Sequence, residues 1–153
     1  ERITPEIGAR VMSLQDPTAK MSKSDPDPAS RILLIDDDDT IVKAIRTAVT
    51  DSDRFVRYDW EEKPGISNLI ELFSVLSGRT IQAIVDEYHE AGYGRSKAAV
   101  AEAIVVGIQP IRQRFESITD SEVVGVMQAG AEVARERAER EMQSVRRRVG
   151  LGS

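Results

Sequence analysis

The sequence predicts a mainly α protein in which a lysine-bearing loop precedes a helical bundle. Three observations predict this class. Residues 16–28 form a polar stretch interrupted by prolines, and short apolar runs that favour β-strands lie on either side of it. From about residue 36 onward, apolar residues recur every three or four positions between residues that cap helices. We expect the two short runs to pair as a β hairpin that flanks the loop.

The loop at residues 16–28 reads DPTAKMSKSDPDP. Its three Asp-Pro steps bias the chain away from regular helix. Lys20 and Lys23 lie three positions apart, with hydroxyl groups at Ser22 and Ser24. Lysine is a mobile point charge that suits phosphate groups, although two lysines in a polar loop are more often a solvated surface. From its residues alone, the loop is a candidate phosphate site.

The apolar runs on either side of this loop are short. Residues 7–14 are interpreted as a strand that leads into the loop, and the ILLI run at residues 32–35 is the second half of the expected hairpin. Four residues also leave a helix open for the second run. Asp25 and Asp27 each precede a proline. We interpret them as turn residues rather than magnesium ligands, and we predict no protein metal site.

Four consecutive aspartates at residues 36–39 mark the start of the helical part. A metal site is one interpretation, but the spacing lacks the Asp-x-Asp-x-Asp-Gly pattern of a calcium loop. Carboxylates at a helix start accept hydrogen bonds from free N–H groups and favour the positive end of the helix dipole. We therefore predict a helix cap. The apolar face of the helix that follows comprises Ile41, Ala44, Ile45, Ala48 and Val49.

Further helices are predicted after residues 63–66, a KPGI string that is typical of a linker or hinge. Their predicted ranges are 68–76 before Gly78, 81–89 after Thr80, 97–118 after Ser96, and 119 to about 147. The last of these begins with Thr119 and Glu122 in the spacing of a capping box. It continues as an amphipathic stripe with several small residues, which favours close packing against a partner.

Composition excludes several classes of protein. The sequence has no cysteine, which excludes a disulfide scaffold and a thiolate metal site. No apolar run approaches the roughly 20 residues of a membrane span. The net charge of −5 argues against a protein that is held on RNA mainly by nonspecific attraction. We expect a cytoplasmic protein with no membrane or DNA partner.

Several separated strings give the sequence a family resemblance. The loop contains KMSKS at residues 20–24, the signature of class I aminoacyl-tRNA synthetases. The accompanying strings are GARVM at 8–12, DPT at 16–18, AVTD at 48–51, KPGISNL at 63–69, LSG at 76–78, GYG at 92–94 and GLG at 150–152. In order and spacing the whole chain resembles bacterial-type tryptophanyl-tRNA synthetases.

This resemblance implies a two-step reaction. The carboxylate of tryptophan attacks the α-phosphorus of ATP, pyrophosphate leaves with the help of Mg²⁺, and the adenylate is passed to tRNA(Trp). The implied catalytic cations are Lys20 and Lys23. The implied ATP-binding residues are Val11, Lys20, Met21, Ser22, Lys23 and Ser24, of which Val11 and Met21 would face the adenine. Without the resemblance, Met21 is equally well a hydrophobic anchor of the loop.

The resemblance also implies a domain organisation. Residues 1–35 would end the catalytic domain, residues 36–118 would form the anticodon-binding bundle, and residues 119–153 would form a helix that packs back on the catalytic domain. The candidate tRNA contacts are Lys97, Arg112 and Arg114. Lys97 matches a lysine of the family's bundle, whereas the two arginines are basic groups on the same helix.

The resemblance covers only the C-terminal part of such an enzyme. Most of the Rossmann-like nucleotide-binding domain, with its His-x-Gly-His-like motif and amino-acid pocket, has no counterpart in the sequence. We therefore expect the chain alone to be inactive, and we expect the full-length protein to form a homodimer through the missing half. The alternatives are a freestanding helical RNA-binding or scaffolding module, and a fragment of the sister tyrosine enzyme.

Overall fold

The computed structural model describes residues 7–151 of the 153-residue chain. It is mainly helical, which confirms the predicted class. A 3-10 turn at Pro28–Ser30 is followed by five α-helices: α1 (Asp38–Thr47), α2 (Pro64–Ser77), α3 (Ile81–Tyr88), α4 (Gly92–Ser117) and α5 (Asp120–Arg148). The chain divides into two compact units, Glu1–Gln113 and Arg114–Ser153, which we call the first and second units.

The helix ends follow local signals that the sequence displays. The side chain of Asp37 caps α1 by accepting a hydrogen bond of 2.7 Å from the Thr40 N–H, as expected for the run of aspartates. This bond holds the pKa of Asp37 below its ordinary value. The α2 helix ends at Gly78, whose φ of 70° is the left-handed conformation that glycine adopts readily. These predicted boundaries are confirmed.

The predicted β hairpin is wrong. Within residues 7–151, the only β pairing is an isolated antiparallel bridge between Met12 and Lys20. The run at residues 32–35 contains a turn instead, in which Asp36 accepts a hydrogen bond from the Leu33 N–H at 2.7 Å. Three of its four apolar side chains are exposed. The apolar composition of this run was therefore not enough to predict a strand.

The predicted linker at residues 63–66 is also wrong, because Pro64 and Gly65 form the first turn of α2. Proline suits this position since the first helical N–H has no partner within the helix. Gly65 has a packing role: a Cβ there would lie 2.2 Å from the carbonyl oxygen of Val49. Ser96, a predicted cap, lies inside α4, where its hydroxyl donates to the Tyr93 carbonyl.

One hydrophobic core organises the first unit. It joins residues of α1, α2, α3 and α4 to Leu14, at the entry to the loop, and to Val56. The core includes Ile41, Ala44, Ile45 and Ala48 of the apolar face predicted for α1, whereas Val49 of the same predicted face lies beyond the end of α1 and is exposed. The buried apolar residues are Leu14, Ile41, Ala44, Ile45, Ala48, Val56, Ile66, Leu69, Ile70, Phe73, Ile84, Val100, Ala101, Ile104 and Ile108.

A buried lysine joins the segment before α2 to α4. Lys63 is 5% exposed, and its Nζ donates to Asp51 (3.1 Å), Asp53 (2.9 Å) and the Tyr93 hydroxyl (2.8 Å). Burial alone would lower the pKa of Lys63, but these three hydrogen bonds outweigh burial and raise it well above its ordinary value. The Lys63 ammonium group therefore stabilises the structure by linking Asp51, Asp53 and Tyr93.

The second unit depends on local interactions. Thr119 and Glu122 form the predicted capping box at the start of α5, in which the Thr119 hydroxyl accepts from the Glu122 N–H and the Glu122 carboxylate accepts from the Thr119 N–H. None of the residues of α5 is buried. Its apolar side chains are largely exposed, with Val126 at 74% and Met127 at 69%.

Candidate functional site

The two ends of the lysine loop are held together by backbone hydrogen bonds. The Met21 N–H donates to the Val11 carbonyl at 3.0 Å, and the Ser13 N–H donates to the Ala19 carbonyl at 2.8 Å. Together with the bridge between Met12 and Lys20, these bonds form what we call the loop root, residues 11–13 and 19–21. The root thus holds the backbone of Lys20 and leads into residues 22–24, which are exposed.

The loop root is fixed to α2 by one side chain. Asn68 is 3% exposed, and its carboxamide makes two hydrogen bonds of 3.0 Å to the backbone of Met12. Its Oδ1 accepts from the Met12 N–H, and its Nδ2 donates to the Met12 carbonyl. Leu14 continues the attachment, because its N–H donates to the Ser30 carbonyl and its carbonyl accepts from the Val49 N–H.

Glu71, one turn further along α2, forms a second attachment. One of its carboxylate oxygens accepts from the Gly8 N–H at 3.2 Å, and the other accepts from the Tyr58 hydroxyl and the Trp60 indole N–H. The sequence analysis missed Asn68 and Glu71 as site residues. The available signal was a polar Asn68 next to the apolar residues Leu69 and Ile70, but the partner of Asn68 lies 56 positions earlier in the chain.

Short side-chain turns shape the interior of the loop. Asp16 accepts from the N–H and the hydroxyl of Thr18, which lowers the pKa of Asp16. Asp25 accepts from the Asp27 N–H at 2.9 Å, and Asp27 accepts from the Ala29 N–H at 2.8 Å. This confirms the interpretation of Asp25 and Asp27 as turn residues.

The two loop lysines carry the available charge. Both are exposed, and neither side chain forms a hydrogen bond or ion pair with any of residues 7–151. Ser22 and Ser24 are also exposed, and the Ser22 hydroxyl accepts from the Ser24 N–H at 3.2 Å. Met21 is partly buried against the core, which anchors the loop, and the rest of its side chain is exposed. The arrangement combines two unpaired ammonium groups with a rigid root, which suits an anionic ligand.

The three candidate tRNA contacts have different surroundings. Lys97 donates to the carbonyl of Ala48, at the end of α1, at 2.7 Å, and burial lowers its pKa. Arg112 donates to the Asp36 carbonyl at 2.6 Å and pairs with Asp38, at the other end of α1. Lys97 and Arg112 therefore stabilise the two ends of one helix.

Arg114 belongs to the second unit, and its side chain is more accessible to a ligand than those of Lys97 and Arg112. Its guanidinium lies 3.6 Å from the Glu122 carboxylate, and its side chain is 70% exposed. The lysine loop lies in the first unit, whereas Arg114 lies in the second.

No group of three or more His, Cys, Asp or Glu side chains among residues 7–151 is arranged to hold a metal ion. Among the described helices, none is both long and apolar enough to cross a membrane.

Comparison with protein families identifies the chain. Residues 2–106 match the family model described as tRNA synthetases class I (W and Y). The chain belongs to this family. The matched region of this class I synthetase chain contains the whole lysine loop, the loop root, and α1 to α3.

Curated relatives narrow the comparison. Over 153 residues the chain is 45% identical to the tryptophan–tRNA ligase of Listeria monocytogenes serotype 4b (strain F2365), covering 99% of this chain and 46% of that protein. Over 146 residues it is 42% identical to the enzyme of the same name from Caldanaerobacter subterraneus subsp. tengcongensis, covering 95% of this chain and 45% of that protein. The chain thus spans about half the length of the curated relatives that it matches.

A solved structure agrees with these relatives. The fold is similar to the crystal structure of tryptophanyl-tRNA synthetase from Mycoplasma pneumoniae, with a TM-score of 0.68 and 32% sequence identity. The similarity covers 97% of this chain and 46% of that one. The helical architecture of this class I synthetase chain is therefore that of part of a tryptophanyl-tRNA synthetase.

Proposed function

We propose that the chain is the C-terminal part of a tryptophan–tRNA ligase, and that it supplies the ATP-contacting loop and a tRNA-binding region. The observation that carries this proposal is the loop itself. Among residues 7–151, the exposed side chains of Lys20 and Lys23 have no hydrogen-bond or ion-pair partner, and the loop root is attached to α2 by Asn68. The names of the curated relatives support tryptophan as the amino acid.

In the proposed reaction, the loop lysines act on the leaving group. As the tryptophan carboxylate attacks the α-phosphorus of ATP, negative charge accumulates on the departing pyrophosphate. The ammonium groups of Lys20 and Lys23 stabilise this charge, and Mg²⁺ that arrives with ATP neutralises part of it. Ser22, Ser24 and loop N–H groups donate hydrogen bonds to the same phosphates. Val11 and Met21 face the adenine.

In the second proposed step, the tryptophanyl group is transferred from the adenylate to a hydroxyl group of tRNA(Trp), and AMP leaves. We assign the tRNA-binding role to residues 36–118, with Lys97, Arg112 and Arg114 as proposed contacts. Lys97 uses one of its three N–H donors on Ala48 and therefore keeps capacity for a phosphate. Arg114 is the most exposed of the three, so it is the first to test.

We propose a division of labour within the complete ligase, which is supported by the partial coverage of the relatives. Residues 1–35 end the catalytic domain. Residues 119–153 pack, through the exposed apolar side chains of α5, on the part of that domain that lies outside this chain. The adenine and tryptophan pockets, the homodimer contact and most of the catalytic domain lie in the remainder of the ligase. The complete enzyme acts in the cytoplasm, and this chain alone is inactive.

Calorimetric titration with ATP and Mg²⁺ tests this division. It compares the chain alone with a joined polypeptide, in which the chain replaces the matching 46% of the Listeria monocytogenes ligase. We expect binding only in the joined polypeptide, and weaker binding in its Lys20→Ala/Lys23→Ala variant. Strong binding by the chain alone would show that the loop does not need the other half.

A further inference from the structure

A buried amide on α2 holds the loop root from both sides of one residue. Asn68 accepts from the Met12 N–H and donates to the Met12 carbonyl, both at 3.0 Å. A side-chain carboxamide can satisfy a backbone N–H and C=O in this way because it carries both a donor and an acceptor. At 3% exposure, Asn68 has little access to water as an alternative partner.

Met12 is the residue whose placement determines that of the first loop lysine. It forms the isolated antiparallel bridge with Lys20. On either side of it, the Val11 carbonyl accepts from Met21 and the Ser13 N–H donates to Ala19. Paired residues in an antiparallel bridge have Cα atoms only about 4.5–5.5 Å apart. A displacement of Met12 therefore displaces the backbone of Lys20.

From this geometry we propose that Asn68 is a positioning residue for the lysine loop: it fixes Met12 and thereby sets where Lys20 and Lys23 present their charges. The inference rests on the proposed function of the loop. Asn68 does not contact the phosphates in this scheme, because both ends of its carboxamide are used on Met12. Without Asn68, the loop keeps its cations but loses their fixed placement.

Amide hydrogen exchange of the chain tests the positioning directly. In Asn68→Ala, we expect protection of the Met21 and Ser13 amides to fall about tenfold relative to that of Ile70 in the core, as for the loss of a typical hydrogen bond. The matched control is Ser74→Ala, which removes another buried polar contact of α2, to the Arg79 carbonyl. Ser74→Ala should leave the ratio unchanged. Unchanged protection in Asn68→Ala, or a fall that only parallels Ile70, would overturn the proposal.

Asn68→Asp supplies a second test, which also serves if Asn68→Ala fails to fold. An ionised carboxylate cannot donate to the Met12 carbonyl, whereas a protonated carboxyl group can both donate and accept. Protection of Met21, relative to Ile70, should therefore recover as the pH falls toward the ordinary aspartate pKa of about 4. Arg10 and Glu71 line the same small cavity, so wild type is scanned in parallel. Absence of recovery would overturn the proposal.

Kinetics of the joined polypeptide separate this inference from the proposed function. We expect Asn68→Ala to lower kcat of tryptophan-dependent ATP–pyrophosphate exchange about tenfold, with KM for tryptophan unchanged, because the placement of the charges affects the transition state. An unchanged kcat would overturn the positioning role. If Lys20→Ala/Lys23→Ala has no effect, the proposed function fails, whatever amide exchange shows for Asn68.

Discussion

The two units of the chain reach helical structure by different means. Among its described residues, the first unit has a core of fifteen buried apolar residues and a buried lysine network. The second unit has a 29-residue helix with none of its residues buried. Its start is set by a capping box and its last turn contains three arginines that favour the negative end of the helix dipole. Sequence-local signals thus mark the ends of α5, whereas the lysine loop is held by distant contacts.

This comparison predicts that the same type of substitution changes stability differently in the two units. The largest difference is expected when a large apolar side chain is truncated to alanine. Leu69→Ala removes a side chain that is 1% exposed and should lower the free energy of unfolding of the first unit by about 3 kcal/mol. Val126→Ala, at a position 74% exposed, should change stability by less than about 0.5 kcal/mol. Urea denaturation measures both; equal effects would contradict the comparison.

Glycine-to-alanine substitutions should differ in sign between the units. At Gly65, the added Cβ would lie 2.2 Å from the Val49 carbonyl oxygen, so we expect destabilisation by about 2 kcal/mol. At Gly130, no atom of residues 7–151 lies within 4 Å of the added Cβ, apart from the neighbouring residues and nearby backbone of α5 itself. Alanine there should stabilise α5 by about 0.5–1 kcal/mol, because glycine loses more backbone entropy in a helix. Amide exchange within α2 and α5 measures each effect locally.

The buried lysine predicts a pH dependence that is confined to the first unit. Hydrogen bonds from Tyr93 and Lys63 lower the pKa of Asp51 despite its burial, and Lys63 lowers the pKa of Asp53. The stability that these carboxylates provide is present above their ordinary pKa of 3.8 and is lost as the pH falls through their lower folded values.

Lys63→Met tests this pH dependence. We expect a loss of about 2 kcal/mol at pH 7, less than for a fully buried ion pair because both carboxylates are partly exposed. The variant should also show a weaker decline of stability below pH 4 than wild type. Lys63 has a raised pKa, so its own contribution is lost only at strongly alkaline pH. Parallel acid unfolding curves for the two proteins would argue against the network.

At the cap of α5, the expected loss of stability is smaller than for Leu69→Ala or Lys63→Met. Thr119→Ala removes the hydroxyl that accepts from the Glu122 N–H and should destabilise the first turns of α5 by about 1 kcal/mol. The change should appear in exchange of the amides near residue 122 and not in those of α2. An effect that spreads into the first unit would show that the two units do not fold independently.

These contrasts also explain what the sequence predicted well. Helix ends that depend on neighbouring residues, such as Asp37, Gly78 and Thr119, were evident before the structure. The KMSKS string identified the lysine loop, and the Asp-Pro steps identified its turns. Each of these features depends on chemistry within a few residues of the chain.

Features that depend on distant partners were not predicted correctly. Pro64 and Gly65 suggested a hinge, but they form the first turn of α2, where Gly65 packs closely against the backbone of Val49. The apolar run at residues 32–35 suggested a strand, but it has no strand partner among the described residues. Asn68 could not be assigned to the loop because Met12 lies 56 positions earlier.

The most direct test of the account is tryptophan-dependent ATP–pyrophosphate exchange by the joined polypeptide. We predict that Lys20→Ala/Lys23→Ala lowers kcat about 100-fold or more, as expected when charge stabilisation of a transition state is lost. The control is Lys43→Ala, an exposed lysine of α1 outside the loop, and it should retain wild-type exchange. Wild-type exchange by the loop variant, or an equal loss in Lys43→Ala, would contradict the claim that the two loop lysines carry the charge of the site.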